Sequence, residues 1–394
     1  MKKLLFVFLV IFSLIGWIWQ DIEAGRKEIQ KAKQSRIHNG DFQLYTDGRD
    51  LYKALFSDIR KAKKNIYIHF YVIEKDAISQ KFLTLLKDKA KQGVEVKLSA
   101  DRIGSHKISR SMIKSLQKAG VQFAFSGKAN WPYFFYTLQH RNHRRIADLD
   151  GTIIYVGGFN MGKEYLGKDK KIGNWRDYHV RISGDGAQDM ERQFLQDWKK
   201  DTDQRVTFHT NSLKKGSTRY QYIFSDGKGL AEQYKEKIEK AKKSLVIATP
   251  YFIPGKDMTE KLLQVRKRGV SVKILVPIES DVLFMKQAAY PSLRELLKHG
   301  AEIYLYQHGF FHGKVMVIDG KFADLGTANF DSRSFYLNNE SNCFIYDGPI
   351  LADIQEQLDK DFRRSKRISE SYFEKLNLWD RFLEHAFSVI SYYL

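Results

Sequence analysis

HRRIADLDGTIIYVGGFN, residues 143–160, and HGKVMVIDGKFADLGTAN, residues 312–329, carry one polar pattern at one spacing. In each, a histidine (His143, His312) is followed two residues later by a cation (Arg145, Lys314) and seven residues later by an aspartate (Asp150, Asp319). A glycine, a second small residue and an asparagine close both: Gly157-Gly158 with Asn160, and Gly326-Thr327 with Asn329. HGKVMVID alternates as a strand does, so His312 and Lys314 point to one face and reach one target together. The small residue before the asparagine lets backbone N–H groups approach an anion closely. Charge from the cation, an amide donor from the asparagine, and an imidazole able to attack phosphorus or move a proton make half a site for a phosphodiester. A single segment of this kind could be a basic surface strand, but two copies with matched offsets are very hard to obtain by chance. Asp319 lies out of phase with His312 along the strand and is expected to orient a neighbour or close the turn.

The repetition extends well beyond the motifs. TDGRDLYKALFSDIRKAKKNIYIHFYV (46–72) matches SDGKGLAEQYKEKIEKAKKSLVIATPY (225–251), and Gly93–Lys97 matches Gly269–Lys273. Each half reads helix, buried strand, helix, strand, helix, strand, then the motif strands, which argues an α/β sheet in each half. The expected organisation is an apolar segment over 1–20, a charged linker over 21–40, one domain over 41–205, a second over 206–375, and a C-terminal amphipathic helix over 376–394. The boundary is expected near 203–218, where Thr, Asn, Ser, Lys and Gly cluster. A duplicated half-site implies pseudo-twofold packing, with one site at the seam and neither half complete alone.

The 394 residues suffice for two ordinary domains, and 43% hydrophobic content excludes a disordered chain. The lone Cys343 excludes an internal disulfide framework. A formal net charge of +20 calls for an anionic partner, nucleic acid or anionic lipid. The N-terminus favours lipid. Met1-Lys2-Lys3 precedes LLFVFLVIFSLIGWIW, apolar from Leu4 to Trp19. As a helix this reaches roughly 24 Å, slightly short of a hydrocarbon core of about 30 Å. Trp17 and Trp19 suit an interface. A cleaved signal peptide is the competing reading, but Ile22-Glu23-Ala24 is a poor cleavage site, so a retained single-pass anchor is expected. Arg26, Lys27, Lys31, Lys33 and Arg36 follow the segment against two cations before it, a bias towards a cytoplasmic body.

The motif pair resembles the phospholipase D superfamily, whose signature is H-x-K-x4-D-x6-G-[ST]-x-x-N. GGFNMGKEYLG, NWRDYHVRISG, TPYFIP and GTANFDSRSFYLNNESN are similar to its cardiolipin synthase branch, and the resemblance covers nearly all of the chain after about residue 40. Arg145 stands where the family has Lys; it keeps the charge but is a planar, longer fork. The resemblance implies two repeated phospholipase D-like domains, each a mixed sheet flanked by helices, sharing one site. It implies a phosphatidyltransferase that converts two phosphatidylglycerol molecules to cardiolipin and glycerol through a phosphatidyl-histidine, with His143 as nucleophile and His312 as acid/base. The candidate catalytic set is His143, Arg145, Asp150, His312, Lys314 and Asp319. Asn160 and Asn329 are expected to hold substrate. Asp177 and Glu340, each following a motif, are expected at the site as carboxylates that fix the histidine tautomers. Phospholipid hydrolysis, nuclease activity and inactive binding of anionic lipid are the alternatives.

Aromatic residues crowd the approach to both motifs: Trp131 and Tyr133–Tyr136, then Tyr304, Tyr306, Phe310 and Phe311. The first cluster, with Pro132, suits a loop at a membrane surface; Tyr304 and Tyr306 suit a core strand. Leu376, Trp379, Phe382, Leu383, Phe387, Ile390 and Tyr393 fall on helical spacing, for a helix lying in an interface or packed on the body. No HExxH, cysteine pair, Asp-rich loop or phosphate-binding G-x-x-x-x-G-K-[ST] occurs, so neither a metal nor another cofactor is expected. The expected partners are phosphatidylglycerol, other anionic phospholipids and the membrane, with no nucleic acid.

Overall fold

In a computed structural model, residues 2–29, 31–168, 173–208 and 216–390 are described. The repeated pattern folds twice into one arrangement. In the first half the parallel strands Asn65–Phe70, Glu95–Asp101 and Gln122–Ser126 alternate with the helices Gly48–Lys61, Ala77–Lys91 and Arg110–Lys118. In the second, Ser244–Ala248, Ser271–Pro277 and Glu302–Tyr306 alternate with Leu230–Glu239, Lys256–Lys267 and Met285–Lys298. The motif hairpins, Ile146–Leu149 with Ile153–Gly157 and Val315–Ile318 with Phe322–Gly326, run antiparallel beside these strands and make each sheet mixed. Strong start signals explain the helix entries. Asp47, Asp76 and Ser109 cap their helices by accepting from Arg49, Ser79 and Met112 N–H groups.

The two sheets join edge to edge. His38–Tyr45 pairs antiparallel with Thr218–Asp226 through His38↔Tyr220, Asn39↔Arg219 and Gly40↔Thr218, which makes one continuous 16-stranded sheet. A core spans this seam: Ile146, Val156 and Val180 of the first half pack with Tyr220, Val315, Leu325 and Ile345 of the second. Such a shared apolar core holds the halves in a fixed relation. The expected boundary at 203–218 falls in part on residues 209–215, outside the described residues.

The apolar N-terminus is helical, but the helix Lys2–Lys27 runs on through the charged stretch placed in a linker by the sequence reading. Its last turns dock on the body. Asp21 Oδ2 accepts from Tyr136 N at 2.9 Å, Ile22 is buried, and Gly25 lies against the Tyr136 ring so closely that a Cβ would stand 2.4 Å from it. Among the described residues no helix is long and apolar enough to cross a membrane, so the expectation of a single-pass anchor is not supported. Trp131, Phe134 and Phe135 form a helix-side cluster with Trp17 rather than a free loop; Trp17 lies 6.2 Å from Trp131 and 5.0 Å from Phe135. Tyr306, Phe310 and Phe311 are core. The C-terminal helix Leu378–Ile390 packs on Met285–Lys298 through Leu383, an Arg294–Glu384 ion pair and Gln287 Nε2 donating to Asp380 at 2.9 Å. Trp379 and Phe382 stay exposed, and Tyr393 lies outside the described residues.

Candidate active site

The motif strands are shorter than their alternation suggests. His143 and Arg145 precede the strand Ile146–Leu149, and His312 and Lys314 precede Val315–Ile318. Their backbones are held by the opposite half instead. His143 N donates to Asn339 O at 3.0 Å, and His312 N donates to Arg176 O at 2.7 Å. This crossing sets both histidines at the seam, lining one cleft of about 550 Å³ with Arg145, Asn160 and Asn329.

The carboxylates also cross. His143 Nδ1 donates to Glu340 of the second half at 2.9 Å; His312 Nδ1 donates to Asp177 of the first half at 2.6 Å. Each carboxylate is itself held, Glu340 by the Thr327 hydroxyl at 2.5 Å, Asp177 by the Tyr178 N–H at 2.7 Å and the Trp175 indole at 3.2 Å. Both are fully buried. Burial raises Asp177, but His312 and Lys314 outweigh it and hold the carboxyl below its usual range; His143 and Thr327 do the same for Glu340. A carboxylate on Nδ1 leaves Nε2 as the lone pair that faces the cleft. Burial, with Arg145 adding to it, lowers His143 to about 4; burial and Lys314 lower His312 to about 3. Both imidazoles are therefore held in the neutral form at neutral pH.

The cations differ. Lys314 Nζ donates to the His312 carbonyl at 2.5 Å, and burial pushes it down to about 7. Arg145 is gripped at three points: Nε donates to Asn160 Oδ1 at 3.1 Å, Nη1 to His143 O at 2.9 Å, and Nη2 lies 2.8 Å from His143 Nε2. The planar fork thus binds the histidine of its own motif, which a lysine's single ammonium would not do in this way. A phosphate entering here would meet two cations and two neutral imidazoles in a site shielded from water, where charge is worth most.

Eight of the ten candidate residues meet in this cluster. Asp150 and Asp319 do not. At the far ends of the motif strands, about 20 Å along by strand rise, they adopt left-handed turns with φ of 58° and 53°. Asp150 accepts from the N–H groups of Lys63, Lys64 and Asn65, and Asp319 from those of Lys242, Lys243 and Ser244. They tie each hairpin turn to the preceding strand, as the phase of Asp319 against His312 implied, and stand apart from the cleft.

Other residues escaped the sequence reading. Tyr71 packs edge-on against His143, with ring centroids 4.9 Å apart. Arg144, hidden between two motif residues, is fully buried and pairs with Asp197 at 2.8 Å and Asp226 at 2.6 Å, across the halves. Trp175 packs 4.8 Å from His312. Arg144 sits between two motif residues and Trp175 two residues before Asp177, whereas nothing in the sequence near Tyr71 points to the site. Among the described residues, no group of three or more His, Cys, Asp or Glu side chains is arranged to hold a metal ion.

Comparison with known proteins agrees with this geometry. The family described as "Cardiolipin synthase, PLD-like domain" matches residues 55–198 and 234–365. The chain is 35% identical over 398 residues to the minor cardiolipin synthase ClsB of Bacillus subtilis, covering 100% of both chains. It is 40% identical over 365 residues to a cardiolipin synthase of Clostridium perfringens, covering 89% of this chain and 76% of that one. Its fold is shared by the crystal structure of phosphatidylserine synthase from Haemophilus influenzae, with a TM-score of 0.71 at 16% identity, over 95% of this chain and 99% of the other. The doubled motif, the crossed His–carboxylate pairs and these matches together place the chain in the cardiolipin synthase family of phospholipase D-like proteins.

Proposed function

We propose that this protein is a phosphatidyltransferase that makes cardiolipin and glycerol from two molecules of phosphatidylglycerol. One observation carries the reading: two neutral histidines, each held by a carboxylate of the opposite half, face one cleft that also presents Arg145 and Asn160, with Lys314 buried beside it. One imidazole Nε2 attacks the phosphorus. A P–N bond forms as the P–O bond to glycerol breaks, and the other imidazole gives its proton to the departing oxygen. That proton enters when the anionic phosphodiester binds and favours the charged imidazole. The now basic imidazole then takes the proton from a hydroxyl of the second phosphatidylglycerol, whose oxygen displaces the histidine. Arg145, Lys314 and the two asparagines stabilise the charge that builds on the phosphoryl oxygens. Asp177 and Glu340 hold the tautomers and balance the imidazolium.

Membrane attachment through the helix Lys2–Lys27 is part of this proposal. Phe6, Leu9, Phe12, Ile15 and Trp19 are exposed on it, and the net charge of +20 suits an anionic leaflet. The cations that follow the apolar segment favour a body on the cytoplasmic side.

The test is incubation of the full chain with vesicles of labelled phosphatidylglycerol. Equal amounts of cardiolipin and glycerol are expected. Phosphatidic acid as the main product would replace transfer by hydrolysis, and cleavage of DNA without lipid turnover would replace both.

A further inference from the structure

The cleft is polar almost throughout. Among the described residues its aliphatic lining is Val72, Val282 and Met285, and two of these three flank one exposed turn. Between them lie Leu283, 79% exposed, and Phe284. Phe284 has a φ of 68°, a left-handed conformation that a bulky aromatic residue rarely adopts, and it swings the chain into the helix Met285–Lys298. Strain of this kind persists where the surrounding structure holds it, and it gathers at ligand-binding segments. The C-terminal helix Leu378–Ile390 brings a second apolar group to the same place. Gln287, four residues beyond Leu283, donates to Asp380. Beside Asp380 stand Leu378, 86% exposed, and Trp379, 64% exposed and stacked 5.5 Å from the exposed Phe382. Single exposed apolar residues are ordinary, but a group of them at the rim of a site marks an interaction surface. The charges around this group pair with one another, Lys286 with Glu279 and Arg294 with Glu384, so the surface offers apolar contact rather than net charge.

We propose that the turn Val282–Phe284 and the exposed face of the first turns of the C-terminal helix enter a phospholipid leaflet as a shallow wedge at the mouth of the cleft. A lipid headgroup then passes to the histidines while its acyl chains stay in the leaflet, along Val282 and Met285. The passage of a phosphatidyl group rests on the transferase reading above, whereas entry into a leaflet rests on the exposed residues alone. A lipid surface is the occupant because the patch is continuous with the cleft. Each CH2 of an acyl chain favours the leaflet over water by about fourfold. A cleft lined by carboxylates, arginines and imidazoles offers such chains nothing in return, so they remain in the leaflet and the mouth must lie against it. A second copy of the chain seated on the turn would cover Val282 and close that route. The net charge of +20 draws the protein to an anionic leaflet, and the apolar wedge fixes which face meets it. The helix Lys2–Lys27 attaches the chain, and the wedge aims the cleft.

The test uses the full chain on vesicles of phosphatidylglycerol and phosphatidylcholine. Cys343 is buried, so Leu283→Cys sets one reactive thiol on the turn for an environment-sensitive fluorophore. Ile37→Cys, labelled in the same way at an exposed position beside the strands that join the halves, is the reference. With phosphatidylcholine brominated along its acyl chains, the label at position 283 should be quenched and the label at position 37 should not. Equal quenching at both, or none at 283, overturns the proposal. Two rates provide the second measurement. Leu283→Asp and Trp379→Asp should each lower cardiolipin formation on vesicles at limiting lipid about 10- to 100-fold, the worth of one large apolar side chain withdrawn from a leaflet. The rate on monomeric dihexanoyl phosphatidylglycerol, which has no leaflet, should change by no more than roughly threefold, as for a surface substitution. Leu283→Met should keep the vesicle rate. Equal losses on both substrates would make the role structural and overturn the wedge, as would an unchanged vesicle rate. Dimerisation that Leu283→Asp abolishes, without quenching at 283, would assign the face to a second copy and overturn it too. An unmodified protein that makes no cardiolipin defeats the transferase reading, while the quenching still decides the wedge.

Discussion

Alanine at Gly158 should disable the site from a position that touches no substrate. The glycine stands where the second motif has Thr327, and the difference tracks the two carboxylates. Thr327 reaches Glu340 with its hydroxyl, whereas Asp177 lies directly over Gly158. A Cβ there would stand 1.9 Å from Asp177 Oδ1 and 2.5 Å from its Cγ. Restoring ordinary contact moves the carboxylate by about 1.5 Å. That breaks the 2.6 Å bond to His312 Nδ1 and frees the ring to turn or change tautomer. A misplacement of about 1 Å costs on the order of 100-fold in rate, and the lost tautomer adds to it, so turnover should fall by at least two orders of magnitude, about 2.7 kcal/mol. The assay is the initial rate of cardiolipin formation from labelled phosphatidylglycerol, alongside a thermal melt to confirm folding. Thr327→Ala is the control. It removes one bond to Glu340 and adds no atom, so it should cost about tenfold. A folded Gly158→Ala protein working at the unmodified rate would refute the crossed-carboxylate reasoning.

Three further outcomes are expected. Arg145→Lys restores the family residue and should keep or raise turnover, whereas Arg145→Ala, losing a cation worth roughly 2–4 kcal/mol at the transition state, should fall by about two orders of magnitude; an unchanged rate would place Arg145 outside the site. Lys314 carries its charge below its pKa of about 7, so kcat/KM should decline as pH rises through that region, and Lys314→Arg should move the decline to higher pH. A flat profile between pH 5 and 9 would count against the Lys314 assignment. Arg144→Ala takes the cation bound to Asp197 and one of the two bound to Asp226, which keeps Lys200, and should destabilise the fold by about 3 kcal/mol in denaturant titration; a loss under about 1 kcal/mol would mean the Arg144 pairs do not join the halves.

Much of the molecule was legible before any coordinates. Histidine, cation, small residue and asparagine at fixed offsets name their own chemistry, because phosphate recognition depends on residue types within a few residues of one another. The repeated helix and strand signals set the α/β architecture, since hydrophobic period and capping are local properties. Even the turn role of Asp319 followed from strand phase. The single-pass anchor is not supported, because among the described residues no helix is long and apolar enough to cross a membrane; that the helix runs on into residues that dock on the body, Asp21 on Tyr136 above all, is a tertiary fact.

What only the folded chain decided is which half serves which. Nothing in the spacing says that Glu340 belongs to His143 and Asp177 to His312, because the partners are 197 and 135 residues apart and meet only when the two sheets pair through His38–Tyr45 and Thr218–Asp226. Residue type along the chain determines what each group can do. Distance and burial across the seam determine what it does, because a carboxylate, an arginine or an imidazole takes its charge state and its target from neighbours that sequence order does not reveal.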